Sequence, residues 1–173
     1  MRGVAEEGKD MNTERIDLPK LDGHGCFACG TANPIGLNLR FYREGDRICS
    51  EVTLNKNYEG WDGMAHGGII STLLDEVMSW TIIYIRKVFF VTRKMEVKYI
   101  KPVFIGTPLT VRGELRGERR ERIICAQAKI LDGQGQTLSR ATGEFVELPP
   151  ERLSAVSDSM KKEMVELFRK VRG

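Results

Sequence analysis

The stretch from Gly67 to about Ile85 constrains this chain most. Ile69, Ile70, Leu73, Leu74, Val77, Met78, Trp80, Thr81 and Ile82 recur there at helical spacing and cover most of the circumference. A helix that is apolar on nearly all sides has to be buried on nearly all sides. A flat sheet covers only one of those sides, so whatever surrounds this helix must curl around it.

The surroundings read as strands. "LNLRFY" (37–42) alternates apolar and polar residues, "REGD" is a turn, and "RICSEVTL" (47–54) returns. After the helix, "VTRKMEVKYI" places Met95, Val97 and Tyr99 on one face. "PLTVRGELRG" does the same with Leu109, Val111 and Leu115. "RIICAQAKIL", a "DGQG" turn and "QTLSRATGEFVEL" complete an antiparallel meander with short links. No helix interrupts these strands, which excludes a βαβ design. The expected class is α+β: a curled antiparallel sheet wrapped around one long central helix. Residues 1–22 read as a flexible, polar lead-in, 23–148 as one domain, and 149–173 as a C-terminal amphipathic helix with Leu153, Val156, Met160, Met164, Leu167 and Val171 on one side. That helix is expected to pack on the domain edge or on a partner subunit.

Charge removes several function classes. The 173 residues carry 27 basic and 24 acidic groups, a net +3, too balanced to point to nucleic acid. No apolar run of membrane-spanning length is free of charges, so no membrane span is expected. The start, "MRGVAEEGKDMNTER", has no apolar core of a signal peptide, and the cytoplasm is the expected compartment. The four cysteines then read as thiols or ligands. Cys26 and Cys29 have C-x-x-C spacing, with His24 two residues earlier, which is half of a zinc site. Completing it from the remaining cysteines would need Cys49 or Cys125, both on predicted strands. No metal is therefore assigned, and the segment is expected to be a packed loop.

The helix is preceded by "NKNYEGWDGMAHGG", a long glycine-rich loop of a kind that is usually functional. The order of elements and the segment "AHGGIISTLLDEV" resemble the hotdog-fold acyl-CoA thioesterases, in particular their phenylacetate-pathway (PaaI-type) branch. That branch carries a His-Gly-Gly followed, eight residues after the first glycine, by an aspartate on the central helix. Here these are His66, Gly67, Gly68 and Asp75. "VTRKMEVKYIKPV" resembles the family strand after the helix, where a Ser or Thr lines the site, and Thr92 is its equivalent. The resemblance covers roughly residues 35–147. It implies a thioesterase with His66 shaping the site. It departs at Gly60, six residues before His66, where some relatives carry an Asn or Gln, and Asp62 or Asn57 is the nearest polar substitute.

The residue chemistry fits that activity. Thioester hydrolysis needs a donor for the developing oxyanion and a base near the carbonyl carbon. Gly67 and Gly68 open the helix, where N–H groups lack helical partners and the dipole is positive. Asp75 aligns with Ser71 and Ser79 in a narrow polar strip, where partial desolvation would make it a better base. It would activate water or attack the acyl carbon itself. Glu76 lies ~100° round the helix and is expected to face solvent or pair with an arginine. Arg93, together with the arginine-rich hairpin 112–122, is placed at the mouth of the site for the coenzyme A phosphates.

Spacing adds a constraint. Eight residues put Gly67 and Asp75 ~12 Å apart along one helix, too far for one carbonyl to meet both. Two antiparallel central helices would bring Gly67 of one subunit beside Asp75 of another, so a homodimer, or a dimer of dimers, with composite sites is expected. The resemblance implies a fatty or aryl acyl-CoA as substrate, and no cofactor is expected because coenzyme A is part of the substrate. The alternatives are an acyl-CoA dehydratase and a non-hydrolytic acyl-CoA-binding protein.

Overall fold

The structure, a computed structural model, describes residues 14–171. Helix α1 spans Gly67–Arg86, opening at His66 and closing at Lys87, whose left-handed φ of 54° turns the chain out of the helix. Seven strands surround it: β1 (Arg15–Asp17), β2 (Tyr42–Glu44), β3 (Arg47–Thr53), β4 (Phe90–Tyr99), β5 (Pro108–Arg120), β6 (Ile123–Leu131) and β7 (Thr137–Glu147). They form one antiparallel sheet in the order β1-β2-β3-β5-β6-β7-β4. α1 touches β3, β4, β5, β6 and β7, so the sheet curls around it as its apolar circumference requires. Leu73, Leu74, Val77, Met78 and Ile82 are fully buried against Ile48, Val111, Ile124, Ile130 and Phe145.

Close approach of helix and sheet depends on one glycine. A Cβ at Gly113, on β5, would lie 2.8 Å from the Val77 carbonyl oxygen and would also overlap the Thr81 hydroxyl. That hydroxyl already donates to the same carbonyl at 2.7 Å. By length and composition α1 alone among the described helices could cross a membrane. Here half of it is spent on the sheet, and it carries Asp75 and Glu76.

Three expectations need correction. The strand expected over 37–42 begins only at Tyr42. Asn38 takes a left-handed φ of 47°, and the Leu37 and Leu39 N–H groups donate to the Phe27 and Ala28 carbonyls instead. The lead-in expected to be flexible to residue 22 is structured from 15 onward. β1 pairs with β2, Leu18 and Leu21 pack on the core, and the Lys20 ammonium donates to the Cys29 and Leu39 carbonyls. Residues 1–13 of that lead-in lie outside the described residues. The C-terminal helix, α2, spans Asp158–Lys170 rather than 149–173, of which 172–173 lie outside the described residues. Ser157 starts it by accepting the Met160 N–H, and Pro149 and Pro150 precede it in a short turn. Its inner face buries Leu167, Phe168 and Val171 on the domain, with Phe168 edge-on to Phe89.

Candidate active site

The polar strip of α1 faces β4. Thr92 donates its hydroxyl to Asp75 Oδ1 at 3.0 Å. One end of the strip lower, Ser71 Oγ and Tyr99 Oη lie 2.7 Å apart, and Tyr99 also donates to the Gly67 carbonyl at 3.1 Å. Strict alternation would put Thr92 on the face opposite Met95, Val97 and Tyr99. The β4–β7 register slips between Thr92 and Lys94, leaving Arg93 as the extra residue of a bulge. The slip changes parity, so Thr92, paired with buried Phe145, shares the helix-facing side with Met95, paired with Gly143. Asp75 is half-buried, and desolvation raises its pKa above the ordinary carboxylate value, with the Thr92 hydrogen bond opposing the rise.

The helix start is built by His66. Its Nδ1 accepts the Gly68 N–H at 2.9 Å and so carries no proton there. This narrows the expected donor pair. The Gly68 N–H is already engaged, while the Gly67 N–H has no hydrogen-bond acceptor among the described residues. Gly67 borders a cavity of about 300 Å³ lined by Trp61, Met64, Ile70, Tyr99 and Ile100, of which Trp61 is 80% exposed. A larger cleft, about 750 Å³, is lined by Arg43, Arg47, Tyr84 and Glu114 and by none of the expected site residues.

The departure at Gly60 has a steric basis. A Cβ there would lie 2.9 Å from His66 Cα, so this loop leaves no room for an Asn or Gln side chain. The Gly60 N–H instead closes the turn on the Met64 carbonyl at 2.8 Å. Asp62 and Asn57 are exposed, and neither side chain makes a hydrogen bond to the other described residues. Arg93 stands at the bulge 3.9 Å from Glu144, which Arg119 approaches more closely at 2.8 Å.

Glu76 corrects an expectation. It neither faces open solvent nor pairs with an arginine. Its carboxylate accepts the Trp80 Nε1–H at 3.1 Å and a hydrogen bond from Cys29, and burial pushes its pKa up to about 7. No local pattern reveals the Cys29 partner, which comes from a loop 47 residues earlier in the chain.

Residues 62–139 match the thioesterase superfamily model. Among solved structures, a thioesterase superfamily protein is 28% identical with a TM-score of 0.62 over 66% of this chain, and the chain covers only 56% of that protein. The Escherichia coli PaaI protein, from the phenylacetic acid degradation operon, is 16% identical with a TM-score of 0.59, over 65% of this chain and 81% of its own. A hypothetical thioesterase from Streptococcus pneumoniae, solved with coenzyme A, is 22% identical with a TM-score of 0.54, over 59% of this chain and 81% of its own. Among curated proteins no match is found. The wrapped helix and the strand order are those of the hotdog fold, and over residues 62–139 the chain is similar to the thioesterase superfamily.

Proposed function

We propose that the chain hydrolyses acyl-CoA thioesters at a site shared between two copies of itself. The observation that carries this is the pairing of a half-buried Asp75, held by Thr92, with an unengaged Gly67 N–H at the mouth of an apolar cavity. The substrate class is supported by relatives of this fold solved with coenzyme A and with acetyl-CoA. In this reading the acyl carbonyl oxygen accepts the Gly67 N–H, at the positive end of α1. Asp75 of the partner subunit takes a proton from water as the water oxygen bonds to the carbonyl carbon. The C–S bond then breaks, and the sulfur leaves as the coenzyme A thiol by taking the proton that Asp75 received, which restores the carboxylate. Direct attack by the Asp75 carboxylate, giving an anhydride that water opens, uses the same geometry.

Each further expected residue keeps a role here. Thr92 orients Asp75, and His66 shapes the helix start rather than acting as base. Arg93 supplies positive charge for phosphate at the rim, and Asp62 stands on the exposed loop beside the cavity. The free edge of β4 favours the shared site. It has no partner strand among the described residues, and Val91, Tyr99 and Ile100 are exposed along it. Four free thiols fit a reducing compartment such as the cytoplasm. A dehydratase would need an Asp–His pair on one carbon, and here His66 Nδ1 is committed to the Gly68 N–H.

The test is thiol release from a panel of aliphatic and aryl acyl-CoAs by wild type and Asp75→Ala. Turnover by wild type, abolished in the variant, is expected. Equal rates would remove Asp75 from the chemistry, and binding without turnover would leave an acyl-CoA-binding protein.

A further inference from the structure

We propose that Cys26, Cys29 and Glu76 form a zinc site that fastens the C-x-x-C loop to the central helix. The two Sγ atoms and a Glu76 carboxylate oxygen all lie within 4.8 Å of one another. Ligands ~2.0–2.3 Å from a tetrahedral zinc stand ~3.3–3.8 Å apart, so only a small contraction is required. Two thiolates and one carboxylate form a donor set suited to zinc rather than to magnesium or calcium, which take oxygen ligands.

The loop is shaped for this independently of its thiols. The Gly30 N–H closes it on the Cys26 carbonyl at 2.9 Å. A Cβ at Gly30 would lie 2.5 Å from the Cys26 nitrogen, so only glycine permits so tight a wrap. Lys20 holds the Cys29 carbonyl at 2.9 Å, and Leu37 and Leu39 pin the Phe27 and Ala28 carbonyls. The backbone thus presents both sulfurs to α1.

Glu76 supplies the second line of support. It projects from a face of α1 other than the Asp75 strip, and no Lys, Arg or His among the described residues forms an ion pair with it. Burying a carboxylate without a compensating cation is costly. A divalent ion shared with the thiolates supplies that charge. His24 is not part of the cluster, so the fourth position falls to water. The cluster is set apart from the candidate base. Glu76 points to the loop while its neighbour Asp75 points to Thr92, and the adjacent Trp80 stacks on Phe41 at 4.4 Å. Binding releases the thiol protons and couples residues 24–39 to the helix that carries the candidate base.

The experiment is elemental analysis of the full chain purified with reductant and without added metal. About one equivalent of zinc per chain, kept through desalting, is expected. After a chelator strips it, the melting temperature should fall and added zinc should restore it. Glu76→Gln, which keeps the shape and the Trp80 contact, should lose zinc in competition with a chromogenic chelator, as should Cys26→Ala. A wild-type chain with reduced thiols that neither contains nor responds to zinc overturns the proposal, whether or not the variants fold. So does a mass showing Cys26 and Cys29 joined as a disulfide, or Glu76→Gln holding zinc as wild type does.

Discussion

The Thr92 hydroxyl reaches Asp75 Oδ1 at 3.0 Å only because β4 is bulged at Arg93, one residue further on. An unbroken strand would turn Thr92 away from α1 whenever Met95 and Val97 face it. Thr92→Val should therefore lower kcat by up to ~10²-fold through misplacement of the carboxylate, with little change in KM. Thr92→Ser should keep most of the rate. Steady-state kinetics on an accepted acyl-CoA decide it, and an unaffected Thr92→Val would detach this contact from catalysis.

Gly67→Pro isolates the donor. Proline is well suited to the first position of a helix, and His66, at φ −62° and ψ 137°, already has the backbone that a residue before proline adopts. A Cβ at this position meets Tyr99 at ordinary contact distance, the nearest atom being 3.6 Å away. The fold should survive and kcat should fall by ~10²–10³-fold. Mixed with Asp75→Asn subunits, it should regain activity, because some dimers then carry one intact composite site. No regain after verified subunit exchange would mean that each site lies within one chain.

His66 is read here as a cap, accepting the Gly68 N–H at 2.9 Å. His66→Ala should cost about 1 kcal/mol of stability, and His66→Asn should recover most of it, since asparagine caps the same way. Urea denaturation measures both. Equal losses in the two variants would assign the histidine another role.

Gly113→Ala should destabilise by about 1–3 kcal/mol, because its Cβ meets the Val77 carbonyl at 2.8 Å inside a packed core. Chemical denaturation with unchanged m-value would confirm a packing effect. A neutral result would show that helix and sheet can separate without cost.

Glu114 accepts from Gln127 and Arg47 at 2.8 and 2.7 Å, which hold its carboxyl below the ordinary value. A depressed folded pKa contributes stability above the unfolded value of about 4.3 and loses it as pH falls through the folded one. Glu114→Gln should be less stable than wild type at neutral pH, with the gap closing below about pH 4. Because the pair is surface-accessible, the gap should also shrink in salt. A gap that does not depend on pH would refute the linkage.

The chain announces its central helix through a 3.6-residue period that no strand can satisfy, and the edges of α1 fell where that period starts and stops. Its meander was equally legible, since strand periods and short turns are local properties. The Gly67–Asp75 spacing was legible for the same reason. The segment 37–42 misled, because alternation there serves a loop packed on Phe27 and Ala28 rather than a ladder. Nothing local foretold β1, whose three exposed residues gain order only from β2.

What the sequence determined by itself was periodic: one helix apolar all round, strands that must wrap it, and a helix start and an aspartate held at fixed separation. Tertiary structure alone decided the rest. The bulge at Arg93 set which face Thr92 occupies, the approach of His66 closed position 60 to any side chain, and the fold brought Glu76 against Cys26 and Cys29. These depend on contacts between residues far apart in the chain, and a repeat of two or 3.6 residues carries no information about such partners.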